Sequence, residues 1–132
     1  MSTLGPRLQL LCADALRADL PPGRYDLVHA ALLLEYVDPA SLLHRIFEWL
    51  SPGGICSLIT QRPTPELPSV SSTRYQSLQT LSERMTLRTA EEVVTLASEA
   101  GLRLISSDAV RLPDGKTLVS SLFGKGNASY RA

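Results

Sequence analysis

The 132-residue sequence has little cysteine, no net charge and no long apolar run, and each shortage closes off a class of protein. Its two cysteines lie in the apolar runs Leu10-Leu11-Cys12-Ala13 and Gly54-Ile55-Cys56-Ser57-Leu58, with no CxxC pair and no histidine at metal-ligand spacing. That excludes a disulfide scaffold and a zinc site, and it predicts two buried free thiols in a reducing compartment. Thirteen basic side chains balance thirteen acidic ones, so the chain lacks the surplus of Lys and Arg on which phosphate-dominated binding of nucleic acid depends. A small or neutral partner is expected instead. No stretch approaches the ~20 apolar residues of a membrane span. The start, Met1-Ser2-Thr3-Leu4-Gly5-Pro6-Arg7, lacks the basic region and apolar core of a signal peptide. The expected location is the cytoplasm, with no membrane contact. What is present, 44% hydrophobic residues in one stretch of this length, suits a single domain over residues 1–132 that buries roughly two-thirds of its unfolded surface.

Along the chain, Leu8-Gln9-Leu10-Leu11-Cys12-Ala13, closed by Asp14, reads as a buried strand. After the turn cluster Leu20-Pro21-Pro22-Gly23, the segment Tyr25-Asp26-Leu27-Val28-His29-Ala30 reads as a second strand, short and mostly apolar as parallel strands are. Ala31-Leu32-Leu33-Leu34-Glu35-Tyr36-Val37 could extend that strand or form a helical turn, and the turn is the favoured reading. Asp38-Pro39 is a helix start, an acceptor at the cap followed by proline where its missing N–H costs nothing. Leu42, Leu43, Ile46, Phe47, Trp49 and Leu50 then give that helix an apolar face. Ser51-Pro52-Gly53-Gly54 is expected to end it, and Ile55–Thr60 to be a third strand.

Residues 61–88 are rich in Pro, Ser and Thr and read as an inserted segment with a helix near Arg74 to Arg84. Thr89-Ala90-Glu91-Glu92 is a capping box before a stripe of Val93, Leu96, Ala97 and Ala100, stopped by Gly101. Leu102–Leu112 and Thr117–Phe123 flank Pro113-Asp114-Gly115-Lys116 and predict an antiparallel pair, with a frayed tail from Gly124 onward. The expected fold class is α/β, the back half of a sheet: parallel strands closed by a C-terminal antiparallel hairpin.

The order and spacing of Cys12-Ala13-Asp14-Ala15, Arg24-Tyr25-Asp26-Leu27-Val28, Leu33-Leu34-Glu35-Tyr36-Val37 and Leu50-Ser51-Pro52-Gly53-Gly54 resemble the class I S-adenosylmethionine-dependent methyltransferases. The resemblance implies a partial Rossmann-like sheet, S-adenosylmethionine as cofactor and a small-molecule methyl acceptor. It places Asp14 where the family's acidic residue accepts from the adenine amino group, and Ala15 where the backbone runs along the adenine edge. A second reading stands beside it: Asp14 caps the turn Ala15-Leu16-Arg17. His29, Ala30 and Ala31 match the segment facing the methionine part of the cofactor and the acceptor. His29 is thus a candidate base or contact, or else a structural histidine. Tyr36 stands where many members have histidine, so it is the other catalytic candidate and a departure from the pattern. Asp26 and Trp49 are expected to be structural. Arg74 and Tyr75 fall in the segment where related enzymes hold the acceptor.

The family's glycine-rich GxGxG loop and its first two strands have no counterpart in this sequence. Its only GxG, Gly124-Lys125-Gly126, follows the last expected strand and opens no helix. Two expectations follow from different classes. One is a methyltransferase domain represented only in its C-terminal part. The other is a non-catalytic interaction module that dimerises through an exposed sheet edge.

Overall fold

A computed structural model describes residues 8–63 and 86–126. Strand β1 (Tyr25–Ala31) leads through a turn to helix α1 (Pro39–Trp49) and strand β2 (Leu50–Arg62). Helix α2 (Ala90–Glu99), strand β3 (Leu102–Arg111) and strand β4 (Thr117–Lys125) follow. The sheet order is β1-β2-β4-β3, with β1 and β2 parallel and the other two pairings antiparallel. The expected α/β class, the strand–helix–strand unit and the closing hairpin are therefore all present. The helix expected near Arg74 to Arg84, together with Arg74 and Tyr75, lies outside the described residues.

Local chemistry explains where the helices begin. The Asp38 carboxylate accepts from the Ser41 N–H at 3.1 Å, and proline occupies the first turn of α1. At α2 both halves of the capping box form: Thr89 Oγ1 accepts from the Glu92 N–H at 3.1 Å, and Glu92 Oε1 accepts from the Thr89 N–H at 2.9 Å. Gly101 ends α2 at φ +99°, and a Cβ there would lie 2.8 Å from the Phe47 ring.

Both helices pack on one face of the sheet. Leu42, Leu43, Ile46 and Trp49 of α1 and Val93 and Ala97 of α2 meet Ala30, Cys56, Leu58, Leu102 and Phe123 in a single core. Alternation along β2 follows from this, with Cys56, Leu58 and Thr60 buried and Ile55, Ser57 and Ile59 half-buried on the other face. Lys125 of β4 reaches across to the end of α1, donating to Phe47 O at 2.8 Å and Leu50 O at 2.7 Å.

Four expectations are corrected. Leu8–Ala13 forms no strand: it is exposed, with Leu10 at 76%, because no neighbouring strand among the described residues satisfies its backbone groups. Cys12 is consequently exposed, whereas Cys56 is buried as expected. Ser51-Pro52-Gly53-Gly54 is not a separate turn but an irregularity inside β2, which advances from Leu50 to Ile55 while β1 advances only from Tyr25 to Leu27. Gly54 is needed there, since a Cβ would stand 2.9 Å from Ser51 O and 3.1 Å from Tyr25 O. Finally, β4 continues through Gly124 to Lys125, held by pairing with both β2 and β3.

Candidate functional site

Parallel β1 and β2 end on the same edge of the sheet, and in open α/β sheets ligands bind outside the carboxyl ends of the strands. At that edge β1 closes on His29, Ala30 and Ala31, and the chain turns immediately afterwards. Ala30 is buried in the core and Ala31 is exposed. The His29 ring lies on the face away from the helices, its Nδ1 within 3.0 Å of Ser57 Oγ on β2. Among the described residues its Nε2 has no partner, so the ring is oriented by one nitrogen and open at the other.

The turn after β1 is tightly constrained. Leu32 adopts φ +55°, in the left-handed region that a non-glycine residue seldom enters. Its N–H donates to Ile59 O at 2.7 Å, and the Tyr36 N–H donates to Leu33 O at 3.0 Å. Glu35 points inward and is only 4% exposed; its Oε2 accepts from the Gln61 N–H at 2.7 Å. From the segment entering α2, the Thr86 N–H donates to Glu35 O at 2.8 Å and Arg88 Nη1 donates to Leu34 O at 3.2 Å. The outcome is that Leu32 (42%) and Tyr36 (38%) stand exposed on a turn whose interior is fixed.

Asp14 opens the turn that runs to Arg17. Its Oδ1 accepts from the Leu16 N–H at 3.0 Å and its carbonyl from the Arg17 N–H at 2.9 Å. Among the described residues its Oδ2 has only Arg17 Nε, at 3.9 Å. One carboxylate oxygen therefore caps the turn while the other remains available to a donor, so the two readings of Asp14 are compatible. Ala15 packs partly against the core, Ala18 is within it, and Arg45 of α1 donates from Nη2 to Ala18 O, tying this turn to the helix.

His29, Ala30 and Ala31 are thus contiguous at the strand end, with Tyr36 on the turn they lead into. No hydrogen bond or ion pair among the described residues joins Asp14, His29 and Tyr36 to one another. Sequence reasoning missed Leu32, Ser57 and the fixing role of Glu35. The signal for Glu35 was available: it is a lone carboxylate in the apolar run Leu32-Leu33-Leu34-Glu35-Tyr36-Val37.

Asp26, expected to be structural, accepts from Ser51 Oγ at 2.8 Å. Trp49 lies in the core with the Arg45 guanidinium 5.2 Å from its ring centre. Among the described residues no helix is long and apolar enough to cross a membrane.

A family described as "Methyltransferase domain" matches residues 9–107. Among solved structures, the chain is similar to the 1,6-didemethyltoxoflavin-N1-methyltransferase of Burkholderia thailandensis, crystallised with 1,6-didemethyltoxoflavin and S-adenosylhomocysteine. The TM-score is 0.75 at 18% identity, covering 96% of this chain and 54% of that one. It is also similar to the [4+2]-cyclase SpnF, with TM-score 0.73 at 15% identity, covering 96% and 60%. An S-adenosylmethionine-dependent methyltransferase of Mesorhizobium loti gives TM-score 0.66 at 20% identity, covering 86% and 68%. The chain therefore spans 60% and 54% of the lengths of the cyclase and the Burkholderia enzyme. No curated protein sequence matches it.

Proposed function

Because the chain belongs to the methyltransferase-domain family, we propose that it carries the acceptor side of an S-adenosylmethionine-dependent methyl transfer to a small molecule. The observation that carries this reading is the parallel end of β1 and β2, where the small, exposed Ala31 gives a ligand close approach and a fixed turn presents Tyr36. When bound, the cofactor supplies a sulfonium methyl group already activated for displacement. The chain's own residues have the task of alignment. Asp14 Oδ2 would accept from the adenine amino group while Oδ1 keeps its turn closed. The Ala15 backbone borders the adenine. His29, Ala30 and Ala31 face the methionine part and the acceptor. His29, with Nδ1 engaged by Ser57 and Nε2 open, and Tyr36, with its exposed phenol, are the two groups able to hold or move an acceptor proton.

Titration calorimetry of S-adenosylmethionine into the 132-residue chain tests this. Heat of binding that disappears in Asp14→Ala supports the assignment. Binding unaffected by that change would remove Asp14 from the site, and no heat from the wild-type chain would refute the cofactor reading for this chain alone.

A second reading, an interaction module that dimerises through its sheet edge, is favoured by the contrast between the two sheet borders. The β3 border carries Arg103, Asp108 and Arg111 and a register irregularity between Leu104 and Ser106, the usual guards of an exposed edge, beside the exposed Leu104, Ile105 and Val110. The β1 border, YDLVHAA, has a single charge, Asp26, and an exposed Leu27. Sedimentation separates the readings: a monomer at high concentration counts against the module.

A further inference from the structure

Two local costs meet in the turn after β1. Leu32 holds φ +55°, and Glu35, 4% exposed, has no hydrogen-bond partner for Oε1 among the described residues while Oε2 is engaged. A buried carboxylate with one oxygen unsatisfied is a poor choice for stability, since an apolar side chain of similar volume would avoid the desolvation. Strained backbone and orphaned polar groups that coincide call for a role other than packing. The polar connections of this turn run largely through one residue. Glu35 Oε2 takes the N–H of Gln61 at the end of β2, and Glu35 O takes the N–H of Thr86 ahead of α2. The Leu32 N–H joins the same end of β2 through Ile59 O.

We propose that Glu35 is the positioning residue of this turn: its carboxylate clamps the turn to the end of β2, holds Leu32 in its left-handed conformation and so sets Tyr36 and the His29–Ala31 strand end for the ligand. The role rests on the reading of that strand end as the side facing the methionine part of the cofactor. Glu35 touches no ligand itself; it acts through Leu32 and Tyr36. Glutamine has nearly the volume of glutamate, and Glu35 lines a small cavity together with Thr60, Thr86 and Arg88.

The test compares wild type, Glu35→Gln and Glu35→Leu by amide hydrogen exchange and by calorimetry with S-adenosylmethionine and with adenosine. In Glu35→Leu the Gln61 and Leu32 amides should lose about tenfold or more in protection while amides of the β2–β4 ladder keep theirs. Glu35→Gln, which retains an acceptor for the Gln61 N–H, should restore both. S-adenosylmethionine should bind Glu35→Leu about tenfold more weakly, with adenosine affinity unchanged. Unchanged protection at Gln61 and Leu32, or a loss spread evenly over the sheet, would overturn the proposal. So would equal weakening of both ligands. If Glu35→Leu does not fold, trans-hydrogen-bond coupling between the Gln61 amide nitrogen and the Glu35 carboxyl carbon of the wild-type chain decides: its detection supports the clamp and its absence overturns it. If the wild-type chain gives no heat with either ligand, the cofactor reading fails, while the exchange pattern still decides whether Glu35 clamps the turn.

Discussion

The end of α1 offers a quantitative test of how the two halves of this sheet are joined. Helix α1 has no basic residue in its last turn, so the partial negative charge of its final carbonyls is met from far along the chain. Lys125 Nζ donates to Phe47 O at 2.8 Å and Leu50 O at 2.7 Å and lies 4.5 Å from the centre of the Phe47 ring. Lys125→Met keeps most of the stem and removes the ammonium. Hydrogen bonds to a charged group contribute about 1.5–3 kcal/mol, and a cation at a helix C-terminus about 0.3–1 kcal/mol. Because Lys125 is only part-buried, the lower ends apply, and the expected loss is about 2 kcal/mol. For a chain of this length that is a fall in Tm of about 8 °C. Urea unfolding followed by fluorescence of Trp49, the sole tryptophan and itself in the last turn of α1, reads the loss directly. The midpoint should fall at unchanged denaturant slope, and Lys125→Arg should recover part of it. A loss below about 0.5 kcal/mol would refute the capping role; a changed slope would mean that the substitution had altered an end state instead.

Other outcomes follow from the same geometry. An aromatic disulfide reagent at mild pH should label Cys12 at once and Cys56 only as the chain unfolds; two fast equivalents would contradict the burial of Cys56. Burial pushes the Cys56 thiol up from 9.0 to about 12. Above pH 9 the unfolded thiol ionises while the folded one stays protonated. Stability should therefore fall by about 1.4 kcal/mol per pH unit from pH 9 toward 12. This part of the alkaline slope should vanish in Cys56→Ala. Gly101→Ala forces a Cβ into φ +99° against Phe47 and should cost about 1–3 kcal/mol in thermal unfolding; a neutral result would show that α2 can end another way.

How much of this was legible depended on whether the determining interaction was local. The caps at Asp38 and Thr89 and the turn at Pro113-Asp114-Gly115-Lys116 each close within a few residues, so spacing alone revealed them. Leu8–Ala13 has the composition of a buried strand, but strand formation needs a neighbour, and no partner is encoded in the segment itself. Cys12 was misplaced for that reason alone. The Pro-Gly-Gly segment reads as a chain reversal because such residues usually make one. Its actual place inside β2 is fixed by pairing with β1 across 25 residues of sequence.

The site divides along the same line. Ala30, Ala31 and Tyr36 follow from being at or just beyond a strand end, and that position was readable. The strain at Leu32, the Glu35–Gln61 clamp and the His29–Ser57 contact join β1 and its turn to β2, and no local pattern announces them. This matters for chemistry because the fold by itself does not choose a reaction: the same architecture is shared with a [4+2]-cyclase and with methyltransferases. What distinguishes one member from another must lie in how such a turn is held and which side chains it presents. On the proposed reading, Tyr36 offers a phenol where the resembling family often has a histidine, so no histidine base acts at that position and the weight falls on alignment. A methyl displacement needs little more than alignment, provided the strand end is rigid. The clamp from Glu35 to the end of β2 is the feature of this chain that would make it so.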